Sequence, residues 1–174
     1  MVSILETDRL LLRQLTSDDA PFILELVNSP GWLQFIGDRN VHSIDDALRY
    51  LNEGPIKSYK QNDFGLSCIT LKSSGEPIGI CGLLRREFLS DPDLGFAILP
   101  QYQGQGYMQE LAAGYLSYIH QRLKLPAVLA ITVPHNQRSI SLLERLGFFF
   151  IDELHLSGEI EPLVLFRVDL QRNN

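Results

Sequence analysis

Short runs with apolar residues at alternate positions succeed longer runs with apolar residues at every third or fourth position, which predicts strands interleaved with helices. Thr7 to Arg13 reads as a strand with Leu10 and Leu12 on one face and Arg9, Leu11 and Arg13 on the other. Ser17-Asp18-Asp19 supplies a cap and first-turn acids for a helix to about Val27, with Phe22, Ile23, Leu26 and Val27 as its apolar stripe. Ser29-Pro30-Gly31 breaks that helix. Trp32, Leu33, Phe35 and Ile36 then form a short apolar turn, and Ser43-Ile44-Asp45-Asp46 opens a second helix that Gly54-Pro55 is placed to interrupt. Phe64 to Leu71 and Pro77 to Leu84 are strand-like and joined by Lys72-Ser73-Ser74-Gly75-Glu76, the composition of a hairpin connection. Leu94 to Leu99 makes a fourth strand. Met108, Leu111, Ala112, Tyr115, Ile119 and Leu123 mark an amphipathic helix that Pro126 ends, and Ala127 to Val133 makes a fifth strand. Pro134-His135-Asn136 gives a turn and a helix cap, with Ile140, Leu142, Leu143 and Leu146 inward and Gly147 as C-cap. Phe148 to Ile151 and Leu163 to Leu170 are the last strands, and the second of them has Val164, Phe166, Val168 and Leu170 on one face.

The stretch from Leu94 to Glu110 organises the rest. A strand stopped by Pro100 crosses a loop with Gly104 and Gly106 and passes directly into a helix. Glycines let several N–H groups converge on one phosphate with the positive end of a helix dipole behind them. The triphosphatase phosphate loop is excluded, because Tyr107 and Met108 stand where Lys and Ser or Thr are needed. The dinucleotide fingerprint is excluded as well, since Gln109 stands where a third Gly or Ala is required. The strand–loop–helix–strand order implies a right-handed crossover between parallel strands, with the phosphate site beside them.

At 174 residues and 45% hydrophobic content the chain suits one domain, residues 1–174. A net charge of −6 argues against nucleic acid and favours a cationic substrate. Cys68 and Cys81 lie in apolar strand-like segments with no CxxC pairing, as expected of buried thiols in a cytoplasmic protein. Glu6, Asp8 and Arg9 rule out an apolar signal core over the first ten residues, and no stretch approaches a membrane span. Asp91, Asp93 and Glu87 have no His or Cys at ligand spacing, so no metal is expected. His120 and His135 are expected on the surface, and Trp32, Phe35 and Tyr59 either pack in the core or line a substrate pocket.

The segment Gln101-x-x-Gly104-x-Gly106 resembles the pyrophosphate-binding signature of the GNAT superfamily of acetyl-CoA-dependent N-acetyltransferases. Asn136-x-x-Ser139 followed by Leu142-Leu143-Glu144-Arg145-Leu146-Gly147-Phe148 resembles its second signature, in the order the family requires. Thr7-x-Arg9-Leu10-x-Leu12-Arg13, with Tyr107 and Glu110 after Gly106, resembles the branch of ribosomal-protein N-terminal acetyltransferases. The resemblance spans roughly residues 7 to 153. It implies an α/β acyltransferase fold with a mixed, mostly antiparallel sheet of six or seven strands flanked by helices, its fourth and fifth strands splayed apart.

By the same resemblance acetyl-CoA is the cosubstrate and its arm lies in the gap against backbone groups of Phe96, Ala97, Ile98 and Leu99. N–H groups from Gln101 to Met108, taking in Gln103, Gly104, Gln105, Gly106 and Tyr107, hold the pyrophosphate, and Asn136 contacts the arm or serves as a helix cap alone. Asp93 is the nominated general base, with Glu87 in reserve, and an N–H near Ile98 polarises the thioester carbonyl. Many relatives place a Tyr acid four residues before the glycine of Leu-Gly-Phe. Here that position is Leu143, and Ser139 is the replacement. The expected reaction is direct acetyl transfer to a primary amine, a protein N-terminus first, with no acetyl-enzyme. The alternatives are a small-molecule amine acceptor and a CoA-binding module without turnover. Oligomeric state is not legible.

Overall fold

The computed structural model describes residues 1–171. Eight strands form one sheet: β1 (Ser3–Glu6), β2 (Leu10–Gln14), β3 (Ser67–Leu71), β4 (Pro77–Leu84), β5 (Asp93–Ile98), β6 (Ala127–Thr132), β7 (Phe149–Leu154) and β8 (Leu163–Asp169). Their order across the sheet is β1-β2-β3-β4-β5-β6-β8-β7. Six or seven strands were expected; the addition is β1, four residues too short and too mixed in polarity for alternation to reveal, paired antiparallel to β2 through Leu5 and Leu12.

The helices are α1 (Ala20–Val27), α2 (Pro30–Phe35), α3 (Ile44–Glu53), α4 (Pro55–Asn62), α5 (Tyr107–Tyr118) and α6 (Gln137–Arg145). Three depart from the expected outlines. A 3-10 turn over Ser17–Asp19 precedes α1. The residues expected as a turn form α2, because Pro30 stands at the first helical position, where its missing N–H costs nothing and its φ is already helical. A π turn over Ile119–Leu123 extends α5 until Lys124 turns left-handed, two residues before Pro126.

Alternation along the strands divides the core between two sheet faces. Leu10, Leu12, Leu83 and Leu94 join Leu111, Tyr115, Ile119 and Leu143 in the cluster that α5 and α6 cover. Cys68, Ile80 and Leu99 join Ile23, Leu26, Trp32 and Leu51 in the cluster beneath α1 and α3. Both cysteines are buried, and burial pushes each thiol up to about 12. Among the described residues no helix is long and apolar enough to cross a membrane.

The feature that positions the site is the junction of β5 and β6. They are parallel neighbours, yet they keep a single registered pair, Asp93 with Leu129, closed by the Leu129 N–H donating to Pro92 O at 3.0 Å. Beyond Asp93 the strands part. β5 stays fully paired with β4 on its other side, from Asp93 against Leu84 to Ile98 against Gly79.

Candidate functional site

One wall of the gap is β5. The Leu99 N–H donates to Ile78 O at 2.9 Å, which turns Leu99 toward β4. Antiparallel ladders alternate, so Ala97 also turns to β4, while Phe96 and Ile98 direct their backbone groups into the gap. Of the four residues expected to line the arm, Phe96 and Ile98 therefore turn their backbone groups toward the gap, and Ala97 and Leu99 pack with the cluster under α1 and α3.

The phosphate loop follows. Pro100–Tyr102 makes a 3-10 turn, and the N–H groups of Tyr102 and Gln103 are used within it, on Leu99 O and Pro100 O. Gly104 and Gly106 hold φ of +74° and +78°, a region a side chain rarely adopts. That conformation turns the chain into α5 directly after Gly106. The N–H groups of Gly104, Gln105, Gly106, Tyr107 and Met108 have no acceptor among the described residues. Five donors at the positive end of a twelve-residue helix fit a pyrophosphate.

The loop is braced from below by the start of β2. The Glu110 carboxylate accepts from Thr7 Oγ1 at 2.5 Å, from the Arg9 N–H at 3.0 Å and from Arg9 Nε at 2.6 Å. The same guanidinium donates to Gln105 O at 3.0 Å and lies 4.4 Å over the Tyr107 ring. Burial raises the Glu110 carboxyl, but the Thr7 and Arg9 hydrogen bonds outweigh it and hold it below its ordinary value. Arg13, on the same strand, makes a fork-to-fork pair with Asp19 at 2.7 and 2.8 Å. Neither arginine is the free surface charge that an exposed strand face would carry.

The other wall is β6 and the first turn of α6. Asn136 caps α6, its side-chain oxygen accepting from the Ser139 N–H at 3.2 Å. Asn136, Ser139, Ile140 and Leu143 share one helical face by spacing. Ser139 is partly buried, one turn nearer the phosphate loop than Leu143, which is 1% exposed in the core. Across the mouth, Arg138 Nη1 donates to Gln103 Oε1, and Gln103 Nε2 reaches Ile98 O at 3.4 Å.

Asp93 stands where the strands part. It is 1% exposed, and Arg86 Nε donates to both of its carboxylate oxygens at 3.1 Å. Burial raises its pKa, and Arg86 partly opposes the rise. The nominated base is thus a buried, paired carboxylate. Glu87 is exposed one residue beyond Arg86. Nearby, burial raises the Tyr50 phenol while Arg39 and Arg86 partly offset it.

Of the aromatics, Trp32 is buried in the core, whereas Tyr59 is partly buried and lines a surface cavity, its hydroxyl accepting from the Leu15 N–H at 2.9 Å and donating to Leu66 O. Phe35 reaches the mouth of the gap, its ring 5.6 Å from that of His135, which is paired with Glu161 at 3.3 Å. His120 lies exposed on the π turn. Sequence reasoning missed Arg86 and Arg138. A loop arginine meeting a strand carboxylate leaves no periodic trace, whereas Arg138 lay inside the Asn-x-x-Ser motif and only its partner was hidden. Among the described residues no group of three or more His, Cys, Asp and Glu stands together as metal ligands.

Comparison with known proteins agrees with this geometry. The chain is 29% identical over 150 residues to the Bacillus subtilis (strain 168) protein named Uncharacterized N-acetyltransferase YoaA, covering 85% of this chain and 84% of that one. It is 38% identical over 76 residues to the [Ribosomal protein uS5]-alanine N-acetyltransferase of Escherichia coli (strain K12), a match covering 41% of this chain and 39% of that one. Among solved structures, RimL, a ribosomal L7/L12 alpha-N-protein acetyltransferase in complex with coenzyme A, superposes with a TM-score of 0.84 at 17% identity, over 98% of this chain and 99% of that one. The ribosomal-protein-S5-alanine acetyltransferase from Vibrio fischeri gives 0.81 at 20% identity, over 99% and 98%. The family model described as Acetyltransferase (GNAT) domain matches residues 9–149, and the chain belongs to that family of acetyl-CoA-dependent N-acetyltransferases.

Proposed function

We propose that this enzyme acetylates the α-amino group of a protein N-terminus by direct attack on acetyl-CoA. The observation that carries the acceptor class is the 38% identity to the uS5-alanine enzyme over 76 residues. The gap supports the cosubstrate. Phe96 and Ile98 offer backbone groups to an amide-rich arm, the five loop and helix N–H groups suit its pyrophosphate, and Asn136 faces them from α6.

The chain's residues divide the chemistry as follows. Asp93 takes a proton from the attacking amine, directly or through water, and its raised pKa makes it a better base than an ordinary carboxylate. A backbone N–H of Phe96 or Ile98 bonds the thioester oxygen as charge develops on it. The amine nitrogen bonds to the carbonyl carbon, the carbon–sulfur bond breaks, and Ser139 gives a proton to the departing sulfur. An α-amino group, with a pKa of about 8, gives up its proton far more readily than a Lys side chain at about 10.4, which suits a carboxylate base.

The test is release of CoA thiol from acetyl-CoA against N-terminal peptides, polyamines and free amino acids. Turnover on peptides above the other classes supports the reading. Turnover on a polyamine alone transfers the site to small amines, and tight binding without turnover on any acceptor supports a binding module.

A further inference from the structure

We propose that Arg138 binds a phosphate of the CoA cosubstrate, and that in the free protein the Gln103 side chain occupies the place of that phosphate. The inference rests on the acetyl-CoA reading of the gap. Arg138 belongs to the first turn of α6 and Gln103 to the phosphate loop, so their hydrogen bond joins the two walls across the mouth. The other end of the same amide reaches Ile98 O, a carbonyl that faces the gap. One neutral side chain thus meets a guanidinium from one wall and a carbonyl from the other.

Both groups await better partners. A guanidinium prefers an anion that takes two of its N–H groups over a single amide oxygen. Of the arginines bonded to the loop or to β5, Arg9 is paired with Glu110 and Arg86 with Asp93. Arg138 has no acidic partner among the described residues, so its charge alone is not neutralised. In a chain of net charge −6, a polyanion is drawn to such a local cation and repelled by most of the surface. Arg138 and Gln103 both lie at or near the surface, so the bond between them is replaced with little loss. When a phosphate displaces Gln103 Oε1 from the guanidinium, the amide swings away and frees Ile98 O for the arm.

Titration calorimetry of the full chain with CoA and with dephospho-CoA tests this. Arg138→Gln is expected to weaken CoA about tenfold and Arg138→Glu further, with melting temperatures unchanged because the side chain is exposed. A loss with both ligands assigns the pyrophosphate, and a loss with CoA alone assigns the 3′-phosphate; each supports the proposal. Equal affinity of wild type and both variants for CoA overturns it while leaving the acetyl-CoA reading intact. Failure of the wild type to bind CoA overturns both.

Discussion

Arg9 and Glu110 form an ion pair of 2.6 Å that ties the start of β2 to the first turn of α5. Because the same arginine also holds Gln105 O and covers Tyr107, the two sequence motifs that resembled one enzyme branch are a single brace under the phosphate loop. The brace fixes where the unpartnered N–H groups point.

Replacing Glu110 by Gln removes the charge and keeps the shape. We expect a loss of about 1 kcal/mol in stability and a raised KM for acetyl-CoA with kcat little changed. The pH dependence has a definite sign. A carboxyl held below its ordinary value contributes stability that is complete above the unfolded pKa and is lost as pH falls through the lower folded one. Urea unfolding of wild type and Glu110→Gln should therefore converge at acid pH. A difference that persists there contradicts the brace.

Asp93→Asn should lower kcat by about a hundredfold or more while CoA binding stays unchanged. As the proposed base, Asp93 must be ionised, so the wild-type rate is expected to fall as pH drops through its raised pKa. Arg86 opposes that rise, and Arg86→Met should carry the acid limb of the rate to higher pH. An acid limb that does not move would separate Asp93 from the proton transfer.

Ser139→Ala is expected to slow turnover at least tenfold without changing CoA affinity, if proton donation to sulfur follows the usual range for general acids. The reverse experiment is equally informative. Leu143→Tyr should destabilise the fold rather than improve catalysis, since position 143 is packed in the core and a larger, polar side chain has no room there. A stable and faster Leu143→Tyr enzyme would show that the position reaches the thiol after all.

Neither cysteine should carry acetyl. With both thiols pushed up to about 12 by burial, the thiolate is absent at neutral pH. Mass spectrometry of the protein after incubation with acetyl-CoA alone should show no adduct on Cys68 or Cys81, and an adduct on either points to a two-step mechanism.

How much of this was written in the sequence depends on distance along the chain. The strand, the glycine loop and the helix after it are contiguous, so composition and spacing place them correctly. The Asn136 cap was equally legible, being a bond over three residues. Two local readings failed for physical reasons: β1 is too short to alternate, and the apolar stretch after Pro30, read as a turn, is the helix α2 that this proline opens, while the break after Val27 stands where it was expected. The contacts that shape the site are tertiary. Arg138 meets Gln103 across 35 residues and Arg9 meets Glu110 across 101, and no periodicity records such a pairing. The parting of β5 and β6 after Asp93 is a property of the sheet, visible only once the strands are side by side.

Acetyl transfer to an α-amine rather than to a side-chain or small-molecule amine can be read from one peptide. A peptide with a free N-terminus and one internal Lys, incubated with enzyme and acetyl-CoA and sequenced by tandem mass spectrometry, should gain a single acetyl group on its α-nitrogen. Acetylation confined to the Lys side chain, or none on the peptide while a polyamine in the same mixture is consumed, would contradict the account.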